Sequence, residues 1–257
     1  MKITTNHTNP LEPLLQIKEL SCAYISRPWG VFGKKEVKNV LNNINLEIRQ
    51  GEIMGLLGES GSGKTTLGKC ILGLIDYEGE IIVKGRKREK RPGFKERRER
   101  ALEIQAVFQN SGASLNPVKS AGWILEEPLH SYGMGSISGN AAERRDKVDH
   151  MLELVGLDPS FKKRKPHELS AGQKQRLSIG AALMLNPSLI VADEPVSALD
   201  VSVAAQILNL FRKLNVELGL ALLFISHNLD LVYYLCDRVA FLQNGLLIQP
   251  KNLIMKH

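Results

Sequence analysis

Residues 58–66 read GESGSGKTT and carry the strongest chemical signal in the chain. They match the pattern GxxxxGK[ST], and they follow an apolar run (53–57) and precede a segment with apolar residues at Leu67, Cys70, Ile71 and Leu74, spaced as on one helix face. A strand, a glycine-rich turn and a helix in that order make a phosphate cradle. Gly58, Gly61 and Gly63 admit positive φ and remove side chains, so that the backbone N–H groups of Glu59, Ser60, Ser62 and their neighbours can converge on phosphate oxygens at a helix start. Lys64 is placed to reach the terminal phosphates, Thr65 to offer its hydroxyl to Mg²⁺, and Thr66 to continue the cradle into the helix.

Such a loop needs an acid to organise magnesium and a group to activate water, both at the end of a neighbouring buried strand. The sequence LIVADE at 189–194 offers both. Asp193 ends four apolar residues and is the expected magnesium carboxylate. Glu194, next to it, is the expected general base. Paired acids after an apolar strand are often only a strand terminus; the phosphate loop makes the chemical reading the stronger one.

The elements that must position these residues alternate along the chain. LLQIKEL (14–20) and INLEI (44–48) show the period of two expected of strands, EGEIIVKG (78–85) returns to strand, and ALEIQAVFQ (101–109) ends in another apolar strand. Residues 123–129 and 141–155 read as helices. Beyond 189, strand and helix alternate: LIVADE, a helix over 203–218, LALLFIS (220–226), a helix, and RVAFLQNG (238–245). That alternation predicts an α/β protein with a parallel core.

Composition narrows the partners. With 257 residues, 43% hydrophobic and 24% charged, the chain can bury a core, and a disordered or fibrous protein is excluded. Its formal charge of +7 is confined to residues 84–100, where ten basic side chains face three acidic ones, and the remainder is neutral. With Phe94 as its sole aromatic, this strip offers no platform for base stacking, and it is expected to be a solvated face. Cys22, Cys70 and Cys236 are odd in number and widely spaced, which predicts buried thiols rather than a disulfide framework or zinc site. The opening MKITTNHTNPLEP lacks the apolar stretch of a secretory signal, and no run approaches the ~20 residues that cross a bilayer. A cytoplasmic location is expected, with any membrane role borrowed from a partner.

Further motifs complete a family pattern. LSAGQ at 169–173 precedes Asp193 by 24 residues, AVFQ ends at Gln109, SALD spans 197–200 and ISHNLD contains His227. Together with the phosphate loop these resemble the ATP-binding cassette (ABC) proteins over about residues 14–248. The resemblance implies a P-loop NTPase fold: a RecA-like core, an antiparallel β subdomain and a helical subdomain at about 113–176, between tails at 1–13 and 249–257. It implies ATP hydrolysis, with Glu194, His227, Gln109 and Lys64 catalytic, and Thr65, Gln109 and Asp193 holding Mg²⁺. Tyr24 takes the place of the aromatic that stacks on adenine. Ser170, Gly172, Gln173 and Asp200 belong to the signature and D-loop, which in this family complete the ATP site of a second cassette. Ala171 departs from the glycine usual there, and either the change is tolerated or this signature supports the less active site of a pair.

NSGASLNP after Gln109, EEPL at 126–129 and the long connection at 25–39, with Trp29 and Phe32, resemble the oligopeptide, dipeptide and nickel importer ATPases. That resemblance implies a second ATPase subunit (a heterodimer first, a homodimer otherwise), two transmembrane permease subunits and an extracytoplasmic solute-binding protein, with no nucleic-acid partner and a place on the cytoplasmic face of the membrane. The short C-terminus resembles the nickel or metallophore type. The competing reading is a non-transport ABC ATPase acting on nucleic acid or ribosomes.

Overall fold

The computed structural model describes residues 13–26, 36–109, 114–132 and 140–249. Trp29, Phe32, the start of the expected helical subdomain at 113 and nearly all of both tails lie outside them. The elements in chain order are strands β1 (Leu15–Ser26), β2 (Glu36–Ile48) and β3 (Ile53–Leu57), helix α1 (Lys64–Leu72), and strands β4 (Glu78–Val83) and β5 (Arg86–Lys87). Helix α2 (Phe94–Glu103), strand β6 (Ile104–Val107) and helices α3 (Ala121–Ser131), α4 (Ala141–Leu154) and α5 (Ala171–Leu183) follow. Strand β7 (Leu189–Asp193), helix α6 (Val201–Leu218), β8 (Ala221–Ser226), helix α7 (Leu229–Leu235), β9 (Arg238–Gln243) and β10 (Leu246–Ile248) complete the order.

Two sheets divide the strands. One is antiparallel, ordered β2-β1-β4-β5; the other runs β10-β9-β3-β8-β7-β6, parallel from β9 to β6 with β10 antiparallel at its edge. Residues of the parallel strands alternate between two apolar cores. Ile53, Leu57, Leu222 and Phe224 face the core shared with α3 to α6; Met54, Leu56, Leu223 and Ile225 face the core shared with α1 and the antiparallel sheet. A sheet covered on both faces explains why β3, β7 and β8 read as continuous apolar runs.

This topology positions the chemistry. The phosphate loop follows β3, Gln109 follows β6, Glu194 follows β7 and His227 follows β8. All four strands are parallel and in register, with Leu57 opposite Ser226, Asp193 opposite Ile225 and Val107 opposite Ala192. Their C-terminal ends therefore open on one edge, where ligands of open α/β sheets bind.

The stretch ALEIQAVFQ ends in strand β6, and its first residues, 101–103, close α2, because the run ERRERALE is made of good helix formers and Arg100 turns inward. Two sequence expectations are corrected. Leu74 does not share the buried face of α1: Gly73, at φ 71°, ends the helix and sends its N–H to Cys70 and Lys69 carbonyls, leaving Leu74 exposed. The basic strip is not simply a solvated face. Arg88 and Arg100 are buried between α2 and the antiparallel sheet, paired with Glu96, and Arg88 also meets Glu103. At the surface, Arg86 pairs with Glu99, Lys87 with Glu80 and Arg91 with Asp76. All three cysteines are buried, and none is in a disulfide. No helix among the described residues is long and apolar enough to cross a membrane.

Candidate active site

The turn after β3 opens a cleft of about 850 Å³ lined by the phosphate loop together with Gln109, Glu194 and His227. Two glycines hold its shape. A Cβ at Gly58 would stand 2.3 Å from the Leu242 carbonyl oxygen on β9, so the loop passes closer to that strand than a side chain permits. Gly63 has φ 109°, a conformation that turns the chain into α1, and a Cβ there would meet Leu41 at 2.9 Å. Glu59, Ser60 and Gly61 form the exposed crest of the turn, with Ser62 half-buried behind it.

Lys64 is 6% exposed, and its Nζ donates to the carbonyls of Gly58 (2.7 Å) and Glu59 (2.8 Å). Burial pulls its pKa down, while Glu194 and Asp193 favour the charged form. Asp193 lies at the end of β7 with 6% exposure. Burial holds its carboxyl above the usual carboxylate range, opposed by a hydrogen bond with the Thr65 side chain. Among the described residues its Oδ1 is buried without a hydrogen-bond partner. A buried, orphaned carboxylate oxygen beside a threonine hydroxyl and a lysine suits a hard divalent cation with oxygen ligands, the rest supplied by phosphates and water.

Glu194 adopts φ 51°, unusual for a residue with a side chain, and its N–H donates to the Ile225 carbonyl at 3.0 Å. The turn takes its carboxylate off the line of β7 and beside His227, whose Nδ1 lies 2.7 and 2.8 Å from the two oxygens. Gln109 Nε2 donates to Ser197 Oγ at 3.1 Å, and that hydroxyl donates to the Glu194 carbonyl at 3.1 Å. A chain of polar contacts thus ties the glutamine after β6 to the acid after β7. Tyr24 on β1 does not itself line this cleft; half-exposed, it touches the lining residue Thr66, its hydroxyl 3.4 Å from Thr66 Oγ1.

Ser170, Gly172, Gln173 and Asp200 do not line this cleft. Ser170 caps α5, accepting from the Gln173 N–H at 3.3 Å while its own N–H donates to Gln173 Oε1 at 2.9 Å. Gly172 packs against Val203, where a Cβ would lie 2.6 Å from Cγ1. Asp200 caps α6 through a bond from the Val203 N–H at 3.0 Å. Ser170 and Asp200 are exposed caps of two helix starts, with Gln173 half-buried and Gly172 buried between them. Ala171 is the first residue of α5, exposed and free of positive φ. Val40, Phe241, Leu242 and Gln243 also line the cleft. Nothing in their local sequence signals it, because strand order rather than a motif brings β2 and β9 beside the loop.

Fold and site together define a P-loop nucleotide-binding cassette. A sequence model of the family described as ABC transporter matches residues 41–197, and the chain belongs to that family. It is accordingly an ABC-type, ATP-binding ATPase. It is 40% identical over 239 residues to the oligopeptide transport ATP-binding protein OppF of Streptococcus pyogenes serotype M1, covering 93% of this chain and 75% of that protein. The oligopeptide transport ATP-binding protein AppF of Bacillus subtilis is 42% identical over 241 residues, covering 93% and 71%. Among solved structures, the dimer of the cassette MJ0796 in a post-hydrolysis state bound to ADP and Pi matches with a TM-score of 0.77 at 30% identity, over 91% of this chain and 98% of that one. The structure of cbiO1 from Clostridium perfringens, described as part of the ABC transporter complex cbiONQ, matches with a TM-score of 0.78 at 27% identity, over 92% and 87%.

Proposed function

We propose that the chain is the ATP-hydrolysing subunit of a peptide importer, one of two cassettes beneath two membrane permease subunits, at the cytoplasmic face of the membrane, with an extracytoplasmic binding protein delivering the solute. One observation carries the division of labour. Lys64, Gln109, Glu194 and His227 share one cleft, whereas the capped helix starts at Ser170 and Asp200 stand outside it. Half a site faces its own nucleotide and the other half is presented outward, to a second cassette. The names of the relatives at 40–42% identity favour peptides over nickel or a metal chelate as cargo.

In this reading Tyr24 stacks on adenine, the amides of 58–66 and Lys64 hold the phosphates, and Thr65, Gln109 and Asp193 hold Mg²⁺. Held by these residues, Mg²⁺ would supply positive charge to offset the negative charge that develops on the phosphates during hydrolysis. Glu194 accepts the proton of the attacking water. His227 fixes the carboxylate's direction, and the hydroxyl of Ser197 links it to Gln109, whose position reports the state of the neighbouring subunit. Ser170, Gly172 and Gln173, with Asp200, face the nucleotide held by the partner. The alternative, an ABC ATPase acting on nucleic acid, loses support because Arg86, Lys87, Arg88, Arg91 and Arg100 of the basic strip are held in ion pairs and Arg88 and Arg100 are buried.

Gentle affinity purification from native membranes tests the proposal. Co-purification of permease subunits and a second cassette is expected, and recovery of the chain with ribosomes or nucleic acid alone would overturn it. Peptides and metal chelates offered to the associated binding protein then decide the cargo.

A further inference from the structure

Within the basic strip, Lys90, Lys95 and Arg97 are exposed and, among the described residues, make no ion pair. Glu89 is the strip's one acid outside an ion pair. Phe94 opens α2 and is 83% exposed, more than any other aromatic side chain among the described residues. Arg97 is held beside it, its Nε donating to the Pro92 carbonyl at 2.9 Å.

Helix geometry explains the arrangement. Glu96, Arg100 and Glu103 are spaced by four and three, so they share one face of α2, and Glu96 and Glu103 meet the buried Arg88 there. Successive residues turn by about 100°, which puts Phe94 on the opposite face with Lys95 and Arg97 on its two flanks. The buried pairs anchor the helix to the antiparallel sheet and leave an aromatic side chain between cations facing outward.

That face belongs to the rim of a groove. Helix α2 runs directly into β6, whose Gln105 and Ala106 line a groove of about 480 Å³ together with Trp123 and Tyr132. Arg98 ties the helix to the far wall, its Nη2 donating to the Tyr132 carbonyl at 2.9 Å. Under the importer reading this groove, close to Gln109, is where a permease subunit sits, so its rim looks toward the bilayer.

We infer that the outer face of α2 is a membrane foot, with Phe94 entering the headgroup layer of anionic lipids and Lys90, Lys95 and Arg97 meeting their phosphates. A single exposed aromatic between long cationic side chains suits a lipid interface, where the stems lie along the acyl boundary and the charged ends reach out. Single-stranded nucleic acid calls for successive stacking platforms, and the strip has one aromatic. Each cation near an anionic surface strengthens attachment by about fivefold. The direction in which the foot points rests on the importer reading; its affinity for lipid does not.

The test uses the full chain and co-sedimentation with vesicles of phosphatidylcholine alone or mixed with phosphatidylglycerol. The anionic vesicles are expected to bind about tenfold or more tightly than the neutral ones. High salt should erase the difference. Lys90→Gln, Lys95→Gln and Arg97→Gln together should weaken attachment by about 100-fold, with ATPase rate and urea midpoint unchanged. Phe94→Trp should add an emission that moves to shorter wavelength on the anionic vesicles, relative to the unaltered chain. Equal binding to both vesicle types, or undiminished binding by the triple variant, overturns the foot. Tighter binding to duplex RNA or DNA than to anionic vesicles also overturns it and assigns the strip to nucleic acid. Attachment only to vesicles that carry the permease subunits overturns it in favour of a protein contact. If the chain binds anionic lipid but no permease co-purifies from native membranes, the foot stands and the importer reading falls; the opposite pair of results removes the foot alone.

Discussion

His227 Nδ1 lies 2.7 and 2.8 Å from the two carboxylate oxygens of Glu194, and the backbone of Glu194 is itself turned into the left-handed region to allow this. A residue held in a sparsely populated conformation persists only where its surroundings fix it. Here the bond to the Ile225 carbonyl, the contact from Ser197 and the imidazole do so. The strain fixes where the carboxylate points, whereas the lysine and glycines of the loop fix where the nucleotide sits. Glu194→Gln, which keeps the shape and removes the basicity, is expected to slow phosphate release by about 10²- to 10⁴-fold. ATP binding should stay within twofold, because the changed group touches no part of the phosphate cradle. Parallel turnover and equilibrium-binding assays check both halves; near-normal turnover would remove Glu194 as the base.

Ala171 bears on whether this cassette supports an active partner site. It is the first residue of α5, its side chain is exposed, and its backbone needs no positive φ, so a glycine has no steric task there. The signature glycine that is packed is Gly172, buried against Val203. Ala171→Gly should therefore leave ATPase activity of the assembled transporter within about twofold while loosening the start of α5 by up to ~1 kcal/mol. Hydrogen exchange over 171–175 and steady-state turnover measure the two effects. A rise in turnover of tenfold would mean that the alanine marks a weakened site.

What sequence made legible follows from how local each cause is. The phosphate loop, the acids after β7 and the apolar strands announce themselves because turn chemistry, charge and periodicity lie within a few residues. The cleft walls at Val40 and Phe241 do not, because strand order brings them there. Leu74 continued an apolar helical spacing, but a single glycine, Gly73, ended the helix one residue earlier. Ser197 could be seen within SALD, but its bridge between Gln109 and Glu194 depends on β6 lying beside β7.

The basic strip failed as a uniform reading because charge counts say nothing of direction. Arg100 points inward, its Nη2 donating to the Glu89 carbonyl at 3.0 Å, and its guanidinium packs against Gly73 at the end of α1. Arg97 and Lys95 stay exposed. Arg100→Ala is expected to cost about 3–5 kcal/mol, because it leaves Glu96 half-buried with one partner fewer and opens the contact between α1 and α2. Neutralising Lys95 and Arg97 together should change stability by less than about 0.5 kcal/mol. Urea unfolding of the two variants separates the buried member of the strip from its surface. Equal losses would mean that Arg100 is not buried as described.

Glu52 sets a burial penalty against two attractions, and its pKa decides which prevails. The residue is 7% exposed, pairs with Arg238 at 3.1 Å and accepts the Arg49 N–H at 2.7 Å. Both contacts favour the carboxylate, yet burial is the larger effect and holds the carboxyl above its ordinary range. A group whose folded value is raised stabilises the fold fully below its unfolded value, about 4.3 for glutamate, and that contribution is lost as pH rises through the folded value. Glu52→Gln is neutral at every pH and suffers no such loss. The stability difference between the variant and the unaltered chain should therefore shift in favour of the variant between pH 4 and pH 7, as read from urea midpoints at each pH. A shift the other way would show that Arg238 and the Arg49 amide outweigh burial, and that the folded chain prefers Glu52 ionised.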